Sequence, residues 1–175
     1  VRGAVELDED SCATYAMNHP GVNLQTGDIL DMDEVVLRRK WRLKKGELTL
    51  LKACPPCQGF STLGTGEVDD SRNDLILDIW RFIDALRPRA VLLENVPGIR
   101  SDKRLATLVR RARKAGYTVR AYDVDAAEFG VPQRRRRHIV CAIRNRKGDL
   151  PDNLMDMLCG EFDFTPRTAG EALRA

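Results

Sequence analysis

Short apolar runs alternate along this chain with longer segments of helical periodicity, and this alternation limits the fold more than any other feature. The apolar runs have the length of β-strands, while the segments between them place apolar residues on one face of a helix. The predicted strands cover residues 4–7, 22–24, 48–53, 90–93, 117–124 and 138–143, and the predicted helices cover 8–18, 33–40, 74–86, 102–115 and 153–158. This order indicates an α/β fold with a mostly parallel sheet and helices on both faces.

Length and composition narrow the class of protein. A chain of 175 residues with 43% hydrophobic residues can form one domain with a real core. Its five cysteines are an odd number in a sequence without a signal peptide, so reduced thiols are expected rather than a disulfide scaffold. No apolar run approaches the ~20 residues of a membrane span. We expect a soluble intracellular domain, located in the cytoplasm or nucleoid of a bacterium or in the nucleus of a eukaryote.

Reactive and charged groups collect where predicted strands end or begin. The segment 54–61 (CPPCQGFS) follows one strand and opens a stretch to residue 73 that is rich in Pro, Gly, Ser and Asp. Glu94 and Asn95 follow another strand, and four arginines, 134–137, precede a third. Because ligands of open α/β sheets bind outside the carboxyl ends of the strands, these groups could meet at one edge. A loop of ~20 residues in a compact domain is often functional.

Each feature taken singly also has a simpler interpretation. Cys54 and Cys57 have the spacing of half a zinc site, but no second ligand pair stands at the matching distance. The same pair could be a redox dithiol, although such motifs normally open a helix. Glu94 could be a surface carboxylate, and the arginine run could be a solvated face or a general nucleic-acid patch.

Together the motifs resemble the DNA cytosine-5 methyltransferase family. The resemblance rests on three motifs in the family's order and strand context: Pro56-Cys57-Gln58, Glu94-Asn95-Val96 and Gln133-x-Arg135-x-Arg137. Weaker matches surround them, at residues 4–8, 16–20, 27–29, 70–75 and 167–173. The resemblance implies a partial Rossmann-like, S-adenosylmethionine-dependent methyltransferase fold, with residues 1–175 forming part of one catalytic domain.

The resemblance also implies a set of catalytic roles. Cys57, and not Cys54, would add as a thiolate to carbon 6 of cytosine, which makes carbon 5 nucleophilic. Glu94 would stabilise negative charge on the ring, either protonated or sharing a proton with the ring nitrogen. Arg135 and Arg137 would hold the base carbonyl and a backbone phosphate, while Arg134 and Arg136 face away.

Substrate and donor contacts follow from the same resemblance. The target base must be flipped out of double-stranded DNA, and the long loop would close over it. No metal is expected; the methyl donor would be S-adenosylmethionine, with Glu6 binding the ribose and Asp28 the adenine amino group. The remaining implied residues are Gln58, Ser61 and Arg72 in the loop, Leu7 and Ile29 against the adenine, and Pro56 and Leu75 lining the donor pocket.

Two family segments have no counterpart in this sequence. The first strand with its Gly-rich turn should precede Val1, between the strands at 4–7 and 48–53 in the sheet, and the target-recognition region should follow Ala175. We therefore expect an internal piece of a methyltransferase that is not competent alone. Three other functions stay open at this point: tRNA cytosine-5 methylation, nucleic-acid binding without catalysis through residues 134–137, and thiol oxidoreduction by Cys54 and Cys57.

Overall fold

A computed structural model describes residues 1–56, 74–152, 165 and 168–174. Strands and helices alternate along these residues, as the apolar pattern predicts, and three short 3-10 turns connect them. The strands are β1 (Gly3–Glu6), β2 (Asn23–Thr26), β3 (Leu50–Ala53), β4 (Ala90–Asn95), β5 (Tyr117–Asp125) and β6 (Arg136–Arg144). The helices are α1 (Glu9–Asn18), α2 (Glu34–Lys40), α3 (Leu75–Leu86), α4 (Lys103–Lys114) and α5 (Ala169–Ala172).

The described strands form two sheets. One contains the parallel pair β1 and β2, and the other has the strand order β3-β4-β6-β5. β3 is parallel to β4, whereas β6 is antiparallel to both β4 and β5, so β3, β4 and β5 all point the same way. The predicted α/β class with a mostly parallel sheet is confirmed.

The larger hydrophobic core lies on one face of the four-stranded sheet. Val91 and Leu93 of β4 lie opposite Ala142 and Val140 of β6, so these four side chains share that face. The apolar sides of both α3 and α4 pack against them, which explains why those helices have strongly amphipathic sequences. The helix residues of this core are Ile76, Ile79, Ile83, Leu105, Leu108 and Ala112.

A second cluster joins the two-stranded sheet to helix α3. Trp41, which ends α2, is buried together with Phe82 and Leu86 of α3, and Val5 of β1 packs on the cluster. The Trp41 ring lies directly on the backbone of Gly3: a Cβ built on Gly3 would be 2.2 Å from two of the ring atoms. Only glycine leaves room for this approach.

Replacing Gly3 by alanine should therefore destabilise the fold. The added methyl group forces the buried Trp41 ring away from β1, and overpacking of this kind costs about 1–3 kcal/mol. Gly170→Ala is the matched control, because a Cβ there meets nothing closer than 3.7 Å. Equilibrium denaturation by urea measures both variants. Equal stability of Gly3→Ala and the unchanged protein would contradict the tight packing of Trp41 on β1.

Three elements differ from the pattern-based prediction. β4 continues through Asn95 and β6 begins at Arg136, because these polar ends pair across the sheet: Asn95 lies opposite His138, and Arg136 lies opposite Asp125. The short helix α5 is not among the predicted helices; a capping box between Thr168 and Glu171 forms its first turn. The helix predicted at 153–158 lies outside the described residues. Within those residues, no helix has the length and apolar character needed to cross a membrane.

Helix α4 begins at a buried carboxylate. Asp102 is its N-cap, is 6% exposed, and accepts hydrogen bonds from the backbone and side chain of Arg104. Burial acts to raise the pKa of Asp102, but the hydrogen bonds from Arg104 outweigh it and hold the pKa below its ordinary value. A carboxyl with a lowered pKa in the folded state stabilises the fold above its unfolded-state pKa, and this contribution disappears as the pH falls through the folded-state pKa.

We expect Asp102→Asn to lower the free energy of unfolding at pH 7 by about 1–3 kcal/mol, the scale of a lost hydrogen bond to a charged group. The difference from the unchanged protein should shrink as the pH falls below about 4, because both chains then carry a neutral group. Asp8→Asn, at the exposed N-cap of α1, serves as the comparison and should have a smaller effect. Denaturation curves between pH 7 and pH 2 test this; a pH-independent difference would contradict it.

Candidate active site

An ion pair joins β4 and β6 at the carboxyl end of β4. Arg137 Nε donates to Glu94 Oε1 at 2.6 Å, and the two side chains are 21% and 28% exposed. The antiparallel register explains the contact: Glu94 lies opposite Ile139, so Arg137, two residues before Ile139, is its diagonal neighbour on the same face. The resulting pair is partly desolvated, with one carboxylate oxygen held by a guanidinium in the geometry that makes such bonds strong.

The four consecutive arginines occupy different environments. Arg136 and Arg137 point to opposite faces of the sheet, as strand alternation requires, and Arg136 lies opposite Asp125. Arg135 precedes the strand; its side chain is exposed, and its backbone N–H donates to Asp125 Oδ1 at 2.9 Å. These contacts, together with the charges of Arg134 and Arg136, lower the pKa of Asp125. The structure thus brings Arg137 to Glu94 and leaves Arg135 at the exposed entrance of β6.

A side chain of β4 holds the start of the segment that carries the expected nucleophile. Asn95 Nδ2 donates to the carbonyl oxygen of Pro55 at 3.1 Å, and the Asn95 side chain is buried. Asn95 Oδ1 in turn accepts from the N–H of Val96. Residues 54–56 are therefore tied to the end of β4 beside Glu94. The expected loop residues Cys57, Gln58, Ser61 and Arg72 lie outside the described residues.

Cys54 differs from what a nucleophile requires. Partial burial raises the pKa of its thiol, and the negative charge and side-chain hydrogen bond of Glu94 raise it further, against an opposing effect of Lys52. A thiol with a raised pKa carries less thiolate at neutral pH, and the thiolate is the reactive form. Cys54 is exposed and its thiol pKa is raised above the ordinary value, which does not favour the redox interpretation of the cysteine pair.

The residues expected to bind the methyl donor lie at the ends of β1 and β2. Glu6 is the last residue of β1, and Asp28 follows β2 closely; the N–H of Gly27 donates to the Glu6 carbonyl and joins the two strand ends. The Glu6 carboxylate accepts from the N–H groups of Leu7 and Asp8, and Asp28 caps the turn that begins at Ile29. Two half-exposed carboxylates thus lie at one edge of this sheet.

The chemistry of these groups fits an adenosyl ligand. Ribose hydroxyls and an adenine amino group are donors, and carboxylate oxygens of Glu6 and Asp28 are acceptors. Apolar surface flanks them, since Leu7 is 63% exposed and Ile29 is half-buried. Arg81 of α3 donates to the Ile29 carbonyl at 3.0 Å, which connects this edge to α3. Pro56 is exposed at the end of residues 54–56, and Leu75 is half-buried at the start of α3.

The sequence pattern did not indicate the polar residues of β4 and β6 on the face of the sheet opposite the Glu94–Arg137 pair. The sequence analysis assigns no role to the side chains of Asn95, a motif residue, or His138, the first residue of a predicted strand, although both are buried. A polar residue inside a predicted buried strand, one position from a candidate catalytic residue, is the signal that could have found them. Asp123, which contacts His138, carried no such signal in an otherwise ordinary strand.

Comparison with known proteins identifies a matching family and relatives. The family model described as C-5 cytosine-specific DNA methylase matches residues 1–163. The chain is 41% identical over 137 residues to Type II methyltransferase M.AgeI of Thalassovita gelatinovora, covering 77% of this chain and 32% of the relative. It is 34% identical over 146 residues to Type II methyltransferase M.XorII of Xanthomonas oryzae pv. oryzae, covering 81% and 34%.

Solved structures support the fold. The structure of the S. pombe Dnmt2 methyltransferase superposes with a TM-score of 0.66 at 24% identity, over 86% of this chain and 43% of that one. The chain spans about a third of the length of the two bacterial relatives. The match of the family model over nearly the whole chain, in agreement with the motif geometry, shows that the chain belongs to the C-5 cytosine-specific DNA methylase family.

Proposed function

We propose that this chain provides the catalytic groups of a DNA (cytosine-5-)-methyltransferase, which transfers a methyl group to carbon 5 of cytosine in double-stranded DNA. The observation that carries the proposal is the Glu94–Arg137 ion pair beside residues 54–56. Two motifs that are distant in the sequence therefore meet at one edge of one sheet, and residues 54–56, which lead to the third motif, lie beside them. A carboxylate, a guanidinium and the chain leading to a cysteine are the groups that activation of a cytosine ring requires.

The proposed chemistry begins with Cys57. Its thiolate forms a bond to carbon 6, and the electrons of the carbon 5–carbon 6 double bond shift toward the ring nitrogen. Glu94 would stabilise that charge by hydrogen bonding to the ring nitrogen, with its second oxygen held by Arg137. Carbon 5 would then form a bond to the sulfonium methyl group, while the sulfur–methyl bond breaks and its electron pair stays on sulfur, which leaves as a neutral thioether. Loss of the proton from carbon 5 and cleavage of the sulfur–carbon 6 bond restore the aromatic ring and the free thiolate.

Glu6, Asp28, Leu7 and Ile29 would hold the methyl donor, S-adenosylmethionine. When bound, the donor supplies an electrophilic sulfonium methyl group. The chain's contribution is to orient the donor through carboxylates at the ends of β1 and β2, with Pro56 and Leu75 lining the donor pocket. Since small misplacements of reacting groups are costly in rate, we assign these residues a positioning function.

DNA would approach the exposed entrance of β6. Arg134, Arg135 and Arg136 are exposed there, and planar guanidinium groups suit phosphate oxygens. Arg137 is less exposed and already bonded to Glu94, which suits a group that handles the flipped base. The loop residues Gln58, Ser61 and Arg72 would close over that base and exclude water.

Arg137→Ala and Arg136→Ala should therefore differ although each removes one positive charge. Loss of Arg137 should lower kcat/KM roughly 10-fold at every salt concentration, the effect of one charged hydrogen bond. Loss of Arg136 should weaken DNA binding at low salt, and the difference should fade as salt rises. Steady-state kinetics and DNA binding between 50 and 300 mM salt, roughly the range in which phosphate contacts are screened, measure this. Identical behaviour of the two variants would reduce the run to a general basic patch.

A covalent trap tests the proposed function. The complete gene product, incubated with the methyl donor and a duplex containing 5-fluorocytosine, should form a stable adduct, because fluorine at carbon 5 prevents proton loss and the sulfur–carbon bond persists. Mass spectrometry of the peptides should place the adduct on Cys57. No adduct on any cysteine would overturn the catalytic proposal. An adduct that forms with 5-fluorocytosine in tRNA and not in the duplex would assign the chain to tRNA methylation instead.

A further inference from the structure

A row of polar side chains crosses the sheet on the face opposite the Glu94–Arg137 pair. Asn95 on β4 lies opposite His138 on β6, and His138 lies opposite Asp123 on β5. Residues directly opposite one another share a face, so the three side chains form one line toward the helices. Asn95 is 4% and His138 is 5% exposed. Asp123, at the outer end of the row, is exposed, with 38% of its side chain accessible. Two buried polar side chains facing each other in the core of a sheet are uncommon and call for a physical reason.

The row is held together by specific bonds. His138 Nδ1 lies 2.7 Å from Asp123 Oδ1, and Arg100 Nη1 donates to Asp123 Oδ2 at 3.2 Å. At the other end of the row, Asn95 binds the Pro55 carbonyl. The hydrogen bond to His138, with smaller effects of the charges of His138, Arg100 and Arg136, holds the pKa of Asp123 below its ordinary value. Asp123 is thus an ionised carboxylate that fixes the imidazole from one side and takes Arg100 on the other.

His138 borders a cavity of about 430 Å³ between α4 and strands β5 and β6. The cavity is lined by Arg100, Leu105, Ala106, Val109, Ala121, Asp123, His138 and Val140. The bond to Asp123 restricts the orientation of the imidazole ring.

Two members of the row are chain neighbours of residues in the candidate active site. Asn95 follows Glu94, and His138 follows Arg137. Successive strand residues share one backbone, so a side chain anchored on the helix face also anchors its neighbour on the other face. His138 lies opposite Asn95, the last residue of β4, where sheet pairing between β4 and β6 ends. Beyond this point β6 pairs with β5 alone, so its first residues have one neighbouring strand instead of two, and side-chain bonds have more influence on their position.

We propose that Asp123 and His138 are positioning residues, whose hydrogen bond fixes the first residues of β6 and thereby holds the Arg137 guanidinium at Glu94. Neither side chain reaches the substrate; both act through Arg137. The expected effect on the reaction rate rests on the proposed function. The expected effect on the Glu94–Arg137 bond does not, since that bond is present in the chain itself. Arg100, 73% exposed in its side chain, is the outer member and contributes less.

The direct test observes the Arg137 Nε–H group by NMR in arginine-labelled protein. In the unchanged chain its bond to Glu94 should protect it from exchange with water. Asp123→Val removes the partner of His138 and should raise that exchange rate about 10-fold, while Asp123→Asn keeps an acceptor oxygen and should restore most of the protection. If Asp123→Val does not fold, the comparison of Asp123→Asn with His138→Phe replaces it, with rapid exchange expected only for His138→Phe.

A matched control separates positioning from general loss of stability. Val140→Ala lies on the same strand and face, two residues beyond His138, and should destabilise the core without touching the polar row. It should leave Arg137 Nε–H exchange within about 2-fold of the unchanged protein; equal exchange rates in Val140→Ala and Asp123→Val would overturn the inference. Unchanged exchange in Asp123→Val would overturn it as well.

The kinetic arm uses the complete gene product. Asp123→Val should lower kcat about 10-fold and change the KM for DNA by less than about 3-fold, because the side chain acts on the geometry of the reacting groups and not on DNA binding. A loss confined to KM would contradict a positioning function. If the unchanged product methylates nothing, the proposed function fails, and the exchange of Arg137 Nε–H still decides the inference about Asp123 and His138.

Discussion

Cys57→Ser should abolish methyl transfer, whereas Cys54→Ser should leave it largely intact. A serine hydroxyl is far less ionised than a cysteine thiol at neutral pH, so addition to carbon 6 would not occur. Cys54 has a raised pKa beside Glu94 and no step assigned to it. Incorporation of labelled methyl groups into duplex DNA by the complete gene product measures both variants under the same conditions.

The two cysteines are matched in residue type and lie three positions apart, so their comparison also separates the competing functions. In a thiol oxidoreductase both sulfur atoms take part in the reaction, so the two substitutions would cause equal losses of activity. A binding protein without catalysis would show no methyl incorporation to lose, while its affinity for DNA would be the same in both variants. Activity that survives in Cys57→Ser would remove the covalent mechanism.

Glu94→Gln should slow methyl transfer by roughly 10²-fold or more, the scale for losing a positioned acid or base. The amide keeps the size of the side chain but cannot share a proton with the ring nitrogen. It also replaces the charged partner of Arg137, so the 2.6 Å ion pair becomes a weaker neutral contact. Single-turnover rates with saturating DNA isolate this step from DNA binding.

Glu128→Gln is the control for the charge change. Glu128 is an exposed carboxylate that follows β5, and its replacement should leave the single-turnover rate unchanged. Turnover by Glu94→Gln equal to that of the unchanged protein would remove Glu94 from the mechanism and leave the ion pair with a purely structural function.

The order and type of the elements could be predicted because they depend on local patterns. The helix over 74–86 has apolar residues at helical spacing and is found at Leu75–Leu86, and the helix over 102–115 is found at Lys103–Lys114 after its Asp102 cap. Both predictions are confirmed. Helical periodicity and capping residues are properties of one segment, so no knowledge of partners is needed to read them.

The pairing of the strands could not be predicted in the same way. Nothing within the segment 138–143 states that β6 runs antiparallel between β4 and β5, because direction is decided by which neighbours bury its apolar face. The extension of β6 back to Arg136 depends on Asp125 of β5, and the extension of β4 to Asn95 depends on His138. Contacts between segments far apart in the chain determine these boundaries.

In the candidate site, too, the residue types could be predicted from the sequence, while their contacts could not. Family motifs indicated Glu94 and Arg137 as separate groups, and only the register explains their bond. The links from Asn95 to Pro55 and from His138 to Asp123 involve residues 40 and 15 positions apart, so local reasoning could not reach them. The roles of Cys57, Glu94, Arg135 and Arg137 in catalysis stay predictions until the variants are measured.

The antiparallel course of β6 has a consequence for the four arginines at its start. The sequence of the run does not distinguish its four arginines from one another. If β6 shifted by one position so that Arg136 took the place of Arg137, an arginine would still lie diagonal to Glu94. The same shift would move Val140 and Ala142 away from the helices and separate His138 from Asp123. The arginine run therefore does not determine the register between β6 and β4. Substitutions of the apolar residues that follow the run should therefore disturb the alignment of β6 more than substitutions within the run. Insertions or deletions between Phe129 and Arg134 should change the length of the connection and leave the same arginine at Glu94.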